Sequence, residues 1–213
     1  DDSFTTGRGR IDVIDAATGE RVDQVDVRTP RGLAPRVETS QGTFEAYVSN
    51  LYAGTVTPVN LVSGLTRTPI PVGTNPEGIV RVGSRVYVAN SGFGAGTSLS
   101  VIDATRDAVT ATIEDVCAGP RTLLTDAEQE VWVICTGSTD FATGTVTNGA
   151  VVVLNGATGA EVARYDADGL LGSATFGQDG VYVDDEVYVL AGDTVLRFDA
   201  TINALATRIP VSG

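Results

Sequence analysis

The chain has 213 residues, of which 42% are hydrophobic, and its formal net charge is −13. A domain of this length buries roughly 70% of the surface that its unfolded chain exposes, so we expect a substantial core. The negative charge excludes a protein that binds nucleic acid mainly through phosphate contacts, and no run approaches the ~20 apolar residues of a membrane-spanning helix.

The first segment, residues 1–29, predicts two strands, RIDVID and RVDQVDV. Asp1–Phe4 aligns with Asn90–Phe93 further along the chain, where these letters follow a strand that contains a tyrosine. The chain therefore begins just after the position of such a strand. We expect half of a repeating structural unit here.

From residue 30 the chain repeats a pattern of strands with a period of roughly 45 residues. Each unit begins near Pro-x-Gly or its remnant and continues through a tight turn such as Gly83–Ser84 into a strand that carries Tyr or Trp. The next strand ends in Asp or Asn, and the last strand contains prolines that only a sheet edge tolerates. The shared markers are Tyr47, Tyr87, Trp132 and Tyr188, together with Asp15, Asn60, Asp103, Asn155 and Asp199.

Four antiparallel strands per unit, with apolar inner strands and an edge-like outer strand, are typical of a β-propeller blade. The fold class that we predict is an all-β propeller with about four and a half blades. The expected boundaries are a half blade at 1–29 and blades at about 30–74, 75–117, 118–168 and 169–213.

Two of the units carry a more specific motif. Tyr47–Asn50 (YVSN) is followed by Val59–Asn60, and Tyr87–Asn90 (YVAN) is followed by VID at 101–103. This pattern resembles the YVTN-repeat β-propellers of surface-layer and other extracellular or periplasmic proteins. The third and fourth units (VWVICTG and VYVLAG) depart from it. The resemblance implies an extracellular, cell-surface or periplasmic propeller, and it leaves the activity open because propellers carry many functions.

A closed ring needs whole blades, so a half blade at one end indicates part of a larger propeller of about six to eight blades. Further blades or another chain would then complete the ring. The alternative is a five-bladed ring with one incomplete blade.

The residues that follow the first proline of each unit are candidates for a binding site. Arg31, Glu77 and Arg121 hold this place, with Asp179 in the equivalent position. They begin the innermost strands and would surround the mouth of the central channel. We predict a site there for a protein partner or a polar small ligand. The alternative is a ring of salt bridges that neutralise one another.

Cys117 and Cys135 are predicted to face each other across a hairpin that turns near residues 127–128. A disulfide would indicate an oxidising compartment, and the alternative is a pair of small buried thiols. The chain has no His and no C-x-x-C, so a zinc site is not expected.

Three other patterns have plain structural explanations. The repeated Asp or Asn, as in Asp15 and Asn155, begins turn sequences in which its side chain accepts backbone N–H groups, so we expect turns and no metal. Gly92–Gly96 joins two strands and does not open a helix, which argues against a dinucleotide site. Asp166–Gly169 lacks the spaced ligands of a calcium loop.

The polar insertion at 137–149 is either a partner-binding loop or a tolerated surface extension.

Catalysis has little support, because a chain without His lacks the most common general base and metal ligand. We therefore predict a binding or structural scaffold without enzymatic activity and without a cofactor. The alternative is part of a propeller enzyme whose catalytic residues lie in other blades.

Overall fold

The computed structural model describes residues 7–36, 45–172 and 186–211. Strands dominate these ranges. They are β1 Arg8–Ile14, β2 Arg21–Arg28, β3 Pro30–Arg36, β4 Glu45–Asn50, β5 Thr55–Asn60, β6 Ile70–Pro71, β7 Pro76–Val82, β8 Arg85–Asn90, β9 Ser98–Asp103, β10 Ala108–Ile113, β11 Pro120–Thr125, β12 Glu130–Cys135, β13 Ser138–Thr139, β14 Val146–Thr147, β15 Ala150–Asn155, β16 Glu161–Asp166, β17 Glu186–Ala191, β18 Thr194–Asp199 and β19 Ala204–Pro210.

Three of the sheets in the described ranges are four-stranded antiparallel meanders. We call them blade 1 (β3-β4-β5-β6), blade 2 (β7-β8-β9-β10) and blade 3 (β11-β12-β15-β16). The β13–β14 hairpin is inserted between the second and third strands of blade 3. A two-stranded sheet, β1–β2, comes before them, and the three-stranded sheet β17-β18-β19, which we call blade 4, follows. The all-β propeller architecture predicted from the repeat is confirmed.

The hydrophobic core lies between successive blades. The second strand of blade 2, β8, is buried along nearly its whole length, because blades cover both of its faces. One cluster joins blades 2 and 3 and includes Tyr87, Leu99, Val133 and Val152, all of which are fully buried. Full burial of such a side chain stabilises the fold by roughly 1.5–3 kcal/mol. A single blade cannot bury both faces alone, so stability depends on neighbouring blades.

The repeated tyrosines also bind the next blade through their hydroxyl groups. The Tyr47 hydroxyl lies 2.5 Å from Oδ1 of Asp107 and 3.2 Å from the carbonyl oxygen of Ala104, and the Tyr87 hydroxyl donates to the carbonyl oxygen of Gly156 at 2.9 Å. Ala104 and Gly156 each directly follow the repeated Asp or Asn of the neighbouring blade. Burial raises the pKa of Tyr87. These tyrosines therefore fix the register between blades in addition to filling the core.

The outer and inner strands differ from the central ones. Pro71 and Pro210 lie in β6 and β19, which are the last strands of their sheets, as predicted for prolines at an edge. The inner strands of each unit were predicted to be apolar, but the innermost strand is less buried than this prediction implies. Leu33 on β3, for example, is 42% exposed. The first strand of a blade has a neighbour on only one side of its sheet, which explains this difference.

Within residues 7–36, 45–172 and 186–211, no helix combines the length and apolar character that crossing a membrane requires.

Candidate functional site

The first strand of each blade begins on one face of the molecule, which we call the mouth face. The strand register pairs Pro30 with Asn50, Pro76 with Asn90 and Pro120 with Cys135. The connections between the second and third strands, residues 51–54, 91–97 and 136–149, therefore lie on this face too. The turns that follow the repeated Asp and Asn lie at the opposite end of the strands, on what we call the turn face.

Glu77 lies at the centre of an ion-pair cluster on the mouth face. Its Oε2 atom accepts hydrogen bonds from Nε of Arg31 at 3.2 Å and from Nε of Arg121 at 3.0 Å. Its Oε1 atom accepts from the hydroxyl of Ser91 at 2.8 Å. The Glu77 side chain is only 9% exposed, whereas those of Arg31 and Arg121 are 47% and 34% exposed. One buried carboxylate therefore holds two partly exposed guanidinium groups beside each other.

Glycines allow the three blades to approach closely enough for these ion pairs. A Cβ atom on Gly32 would lie 2.6 Å from the carbonyl oxygen of Glu77, and one on Gly78 would lie 2.3 Å from that of Arg121. No side chain fits in that space. The glycine of the Pro-x-Gly motif is thus needed where one inner strand passes the next, and it brings residues 31, 77 and 121 together.

The residue before each of these prolines has a left-handed backbone. The φ angles are 33° at Thr29, 46° at Asn75 and 65° at Gly119. Each of the three inner strands then begins with an irregular register against the second strand of its blade. This local geometry turns the chain sharply into the inner strand and aims the following residue toward the cluster.

The structure thus brings together three of the four residues predicted for the channel mouth. Arg31, Glu77 and Arg121 form ion pairs, which is the arrangement of the salt-bridge alternative. Asp179 lies outside the described residues. A ligand-binding role for the exposed parts of the two arginines stays a prediction.

A second polar link runs from this cluster into the connection at 91–97. The Ser91 hydroxyl, which contacts Glu77, also lies 2.9 Å from the carbonyl oxygen of Asn75. The same hydroxyl oxygen accepts the backbone N–H of Phe93 at 3.3 Å. The position of Phe93 is therefore tied to the arginine cluster through two side chains.

The predicted disulfide between Cys117 and Cys135 is confirmed, with Cα atoms 6.1 Å apart. The expected geometry was wrong in one respect. Cys135 ends β12, but Cys117 lies three residues before β11 begins and is not in the hairpin. Pro120, not Cys117, faces Cys135 across the strands.

The repeat assigns a counterpart to this disulfide that the sequence analysis missed. Gly73 lies three residues before β7, as Cys117 does before β11, and Asn90 ends β8, as Cys135 ends β12. The Gly73 N–H donates to Oδ1 of Asn90 at 3.0 Å. The available signal was the alignment of YVAN with VWVIC, which places Asn and Cys in one slot.

The repeated Asp and Asn form the predicted turns on the turn face. Oδ1 of Asp15 accepts N–H groups two and three residues further on at 2.8 and 2.9 Å, and Oδ1 of Asn60 does the same at 2.9 Å. Backbone hydrogen bonds, chiefly from Thr18, lower the pKa of Asp15. These hydrogen bonds to the backbone explain why Asp or Asn recurs at this position.

The remaining acidic and glycine-rich patterns form structural contacts. Asp166 and Asp168 pair with Arg164 at 3.8 Å and Arg208 at 3.7 Å, respectively. Gly92–Gly94 forms a short 3-10 turn between two strands. Among the described residues, no group of three or more His, Cys, Asp and Glu side chains is arranged to hold a metal ion.

Comparisons with known proteins support the fold alone. No protein-family model matches the chain, and no curated protein matches its sequence. Among solved structures, Kuenenia stuttgartiensis hydrazine synthase is similar with a TM-score of 0.75 and 21% sequence identity. The match covers 95% of this chain and 60% of that chain, so this chain spans less than two thirds of that structure. Likeness at this identity supports a propeller-like all-β fold and carries no information about activity.

Proposed function

We propose that this chain is a YVTN-type propeller module of an extracellular, cell-surface or periplasmic protein, which binds a protein partner or a polar ligand on its mouth face. The observation that carries the proposal is the cluster of Arg31, Glu77 and Arg121. A buried carboxylate orients two guanidinium groups, and both remain partly in contact with solvent.

This arrangement suits recognition because Glu77 restricts the conformations of both arginine side chains before any partner binds. Free arginine side chains lose rotamer freedom when they bind a partner, at a cost of about 0.5–1.5 kcal/mol each. Both arginines here are held at Nε by Glu77. Since a guanidinium has five N–H donors in a fixed plane, the contact of Arg31 at Nε leaves donors on that group for a second acceptor.

The proposed location is supported by the disulfide and by the YVSN and YVAN motifs. Disulfides persist mainly in oxidising compartments, and Cys117 and Cys135 are joined. A non-enzymatic role is supported by the absence of His from the whole sequence. In the alternative, an enzyme, the catalytic groups would come from blades other than those described.

The test uses arrays of extracellular proteins and of carboxylate-bearing and phosphate-bearing small molecules. Wild-type protein is compared with the double variant Arg31→Ala/Arg121→Ala. We expect at least one ligand whose binding weakens by roughly tenfold or more in the double variant. The matched control is Arg106→Ala on the turn face, where the arginine is 73% exposed and paired with Asp103. Binding that is equal in wild type and double variant for every ligand rejects the proposal.

A further inference from the structure

Exposed aromatic side chains of the described residues are confined to one kind of connection. Tyr52, Phe93 and Phe141 are 49%, 63% and 96% exposed, and the other aromatic residues within 7–36, 45–172 and 186–211 are buried or half-buried. The three lie between the second and third strands of blades 1, 2 and 3, respectively, on the mouth face. We call them the aromatic series.

Two members of the aromatic series meet across a blade boundary. The rings of Tyr52 and Phe93 have centroids 5.8 Å apart and are tilted by 47°. The loop of Tyr52 is held by its N–H, which donates to the hydroxyl oxygen of Thr29 at 3.3 Å. It is also held by the amide of Asn75, which donates to the carbonyl oxygen of Leu51 at 3.2 Å. The pair is a fixed apolar platform on the surface.

Phe93 occupies this position at a cost in backbone energy. Its φ and ψ angles are 56° and 37°, in the left-handed region that costs roughly 1–2 kcal/mol for residues other than Gly, Asn and Asp. Burial does not offset this cost, since the side chain is 63% exposed. Strained backbone conformations of this kind cluster at functional sites, although Thr29 and Gln129 also have positive φ angles.

Phe141 is presented by an ordered hairpin, β13–β14, formed by the polar insertion. Oδ1 of Asp140 accepts the N–H of Ala142 at 2.8 Å, and Oδ2 accepts the hydroxyl of Thr143 at 2.8 Å. The N–H of Gly144 donates to the carbonyl oxygen of Asp140 at 2.7 Å. The tip therefore has a defined shape, and it places the most exposed aromatic ring of the described residues on the mouth face.

We propose that the aromatic series and Arg31 together form a docking surface for an extended protein segment that carries a carboxylate beside apolar side chains. This inference rests on the proposed function and names its partner class. A chain of hydrogen bonds links Arg31 to Phe93, because Glu77 binds Arg31 through Oε2 and Ser91 through Oε1. Ser91 in turn accepts the N–H of Phe93.

The chemistry favours a protein segment over other ligands. Aromatic residues and arginine are the types most enriched at the energetic centres of protein interfaces. A guanidinium matches a carboxylate in charge and in geometry, and a neutral sugar offers no such partner. A polyanion such as a nucleic acid or an acidic membrane would be repelled by a chain with a net charge of −13. A single carboxylate needs only local complementarity, because distant charges are screened within about 8 Å.

The experiment selects a phage-displayed library of random-sequence peptides against the immobilised full chain. The peptides that are enriched are then titrated by fluorescence anisotropy. We expect enriched sequences to combine Asp or Glu with apolar residues, and their affinity to fall by roughly tenfold or more in Tyr52→Ala/Phe93→Asn. Asn tolerates the left-handed backbone, so this variant should keep a melting temperature close to that of the wild type. The control Val62→Ala/Ile202→Ala removes exposed apolar surface from the turn face and should bind like wild type.

Three results would overturn the inference. The first is enrichment of peptides that bind the aromatic variant as tightly as wild type. The second is an equal loss of binding in the turn-face control. The third is failure to enrich any peptide. If binding depends on Arg31 and Arg121 but not on the aromatic series, the docking surface is wrong and the proposed function stands. If neither set matters, both fail.

Discussion

Blades 2 and 3 make the same connection by different chemistry. In blade 2 the N–H of Gly73 donates to Oδ1 of Asn90 at 3.0 Å, and in blade 3 the equivalent residues, Cys117 and Cys135, form a disulfide. Both links tie the segment that leads into a blade to the end of that blade's second strand. The fold thus requires a link at this position, while the type of bond differs between the two blades.

The neighbours of each link have changed with it. Nδ2 of Asn90 donates to the hydroxyls of Ser98 and Ser100, both at 3.1 Å. The corresponding residues of blade 3, opposite Cys135 and two positions on, are Ala150 and Val152. A buried amide needs partners for its N–H groups, whereas a disulfide packs against apolar side chains. The residue that makes the link and the residues that surround it must therefore change together.

Loss of the disulfide is expected to have the largest effect. Cys117→Ala/Cys135→Ala should lower the free energy of unfolding by about 3 kcal/mol, since the bond closes a loop of 18 residues. Denaturant unfolding with and without reductant measures this change. The double variant serves as the control because reductant should not affect it. An unchanged wild-type midpoint in reductant would contradict the expectation.

A methyl group at the hydrogen-bonded link should have the next largest effect. The Cβ atom in Gly73→Ala would lie 2.3 Å from Cγ of Asn90, and overpacking of this kind costs roughly 1–3 kcal/mol. Gly169→Ala is the control, because its Cβ would meet no atom within 4 Å.

The cause of the Gly73→Ala effect can be isolated with a second substitution. In an Asn90→Ala background the two shortest contacts, with Cγ at 2.3 Å and Nδ2 at 2.6 Å, are removed and the contact with Cβ at 2.7 Å remains, so the same change at Gly73 should cost less. Equal costs in both backgrounds, measured by denaturant unfolding, would show that the contact with Asn90 is not responsible.

The aromatic residue of the second strand gives a third, smaller contrast. The hydroxyl of Tyr87 reaches Gly156 in the next blade, but the indole Nε1 of Trp132 donates to Oδ2 of Asp126 in its own blade at 2.7 Å. Tyr87→Phe should therefore lower the free energy of unfolding by about 1 kcal/mol. Tyr47→Phe should also lower the free energy of unfolding. Thermal unfolding measures both effects, and variants that unfold like the wild type would refute a role for these hydroxyls.

Much of the fold could be predicted from the sequence because its signals are local and repeated. Pro-x-Gly, the Tyr or Trp strand and the terminal Asp or Asn recur with one period, and each reflects a turn or a buried strand. The disulfide pairing followed from spacing, but the position of Cys117 did not, because the segment before β11 has no strand pattern.

The candidate site was harder to predict from the sequence than the fold was. Arg31, Glu77 and Arg121 could be placed on one face, but contact between them depends on how closely the blades approach at Gly32 and Gly78. The exposure of Phe93 was also hidden. Phe next to glycines is compatible with either a core or a surface position, and only the packing of neighbouring blades decides between them.

The smallest expected effect concerns pH and the turn face, where blade 2 has Asp103 and blade 3 has Asn155. The hydroxyl and then the backbone N–H of Thr105 hydrogen-bond to Asp103 and lower its pKa below 3.8. A depressed pKa in the folded state means that the ionised carboxylate adds stability above its ordinary pKa, and that this contribution is lost as pH falls through the lower folded value. Asn155 makes equivalent backbone contacts at 3.1 and 3.0 Å without titrating. Asp103→Asn should therefore keep the turn and reduce the fall in unfolding free energy between about pH 5 and pH 3, whereas Asn155→Asp should increase it. Urea unfolding of both variants across this range measures the difference, in which the effects of Asp15 and Asp199 cancel. Parallel pH profiles for the two variants would show that ionisation of this slot does not contribute to stability.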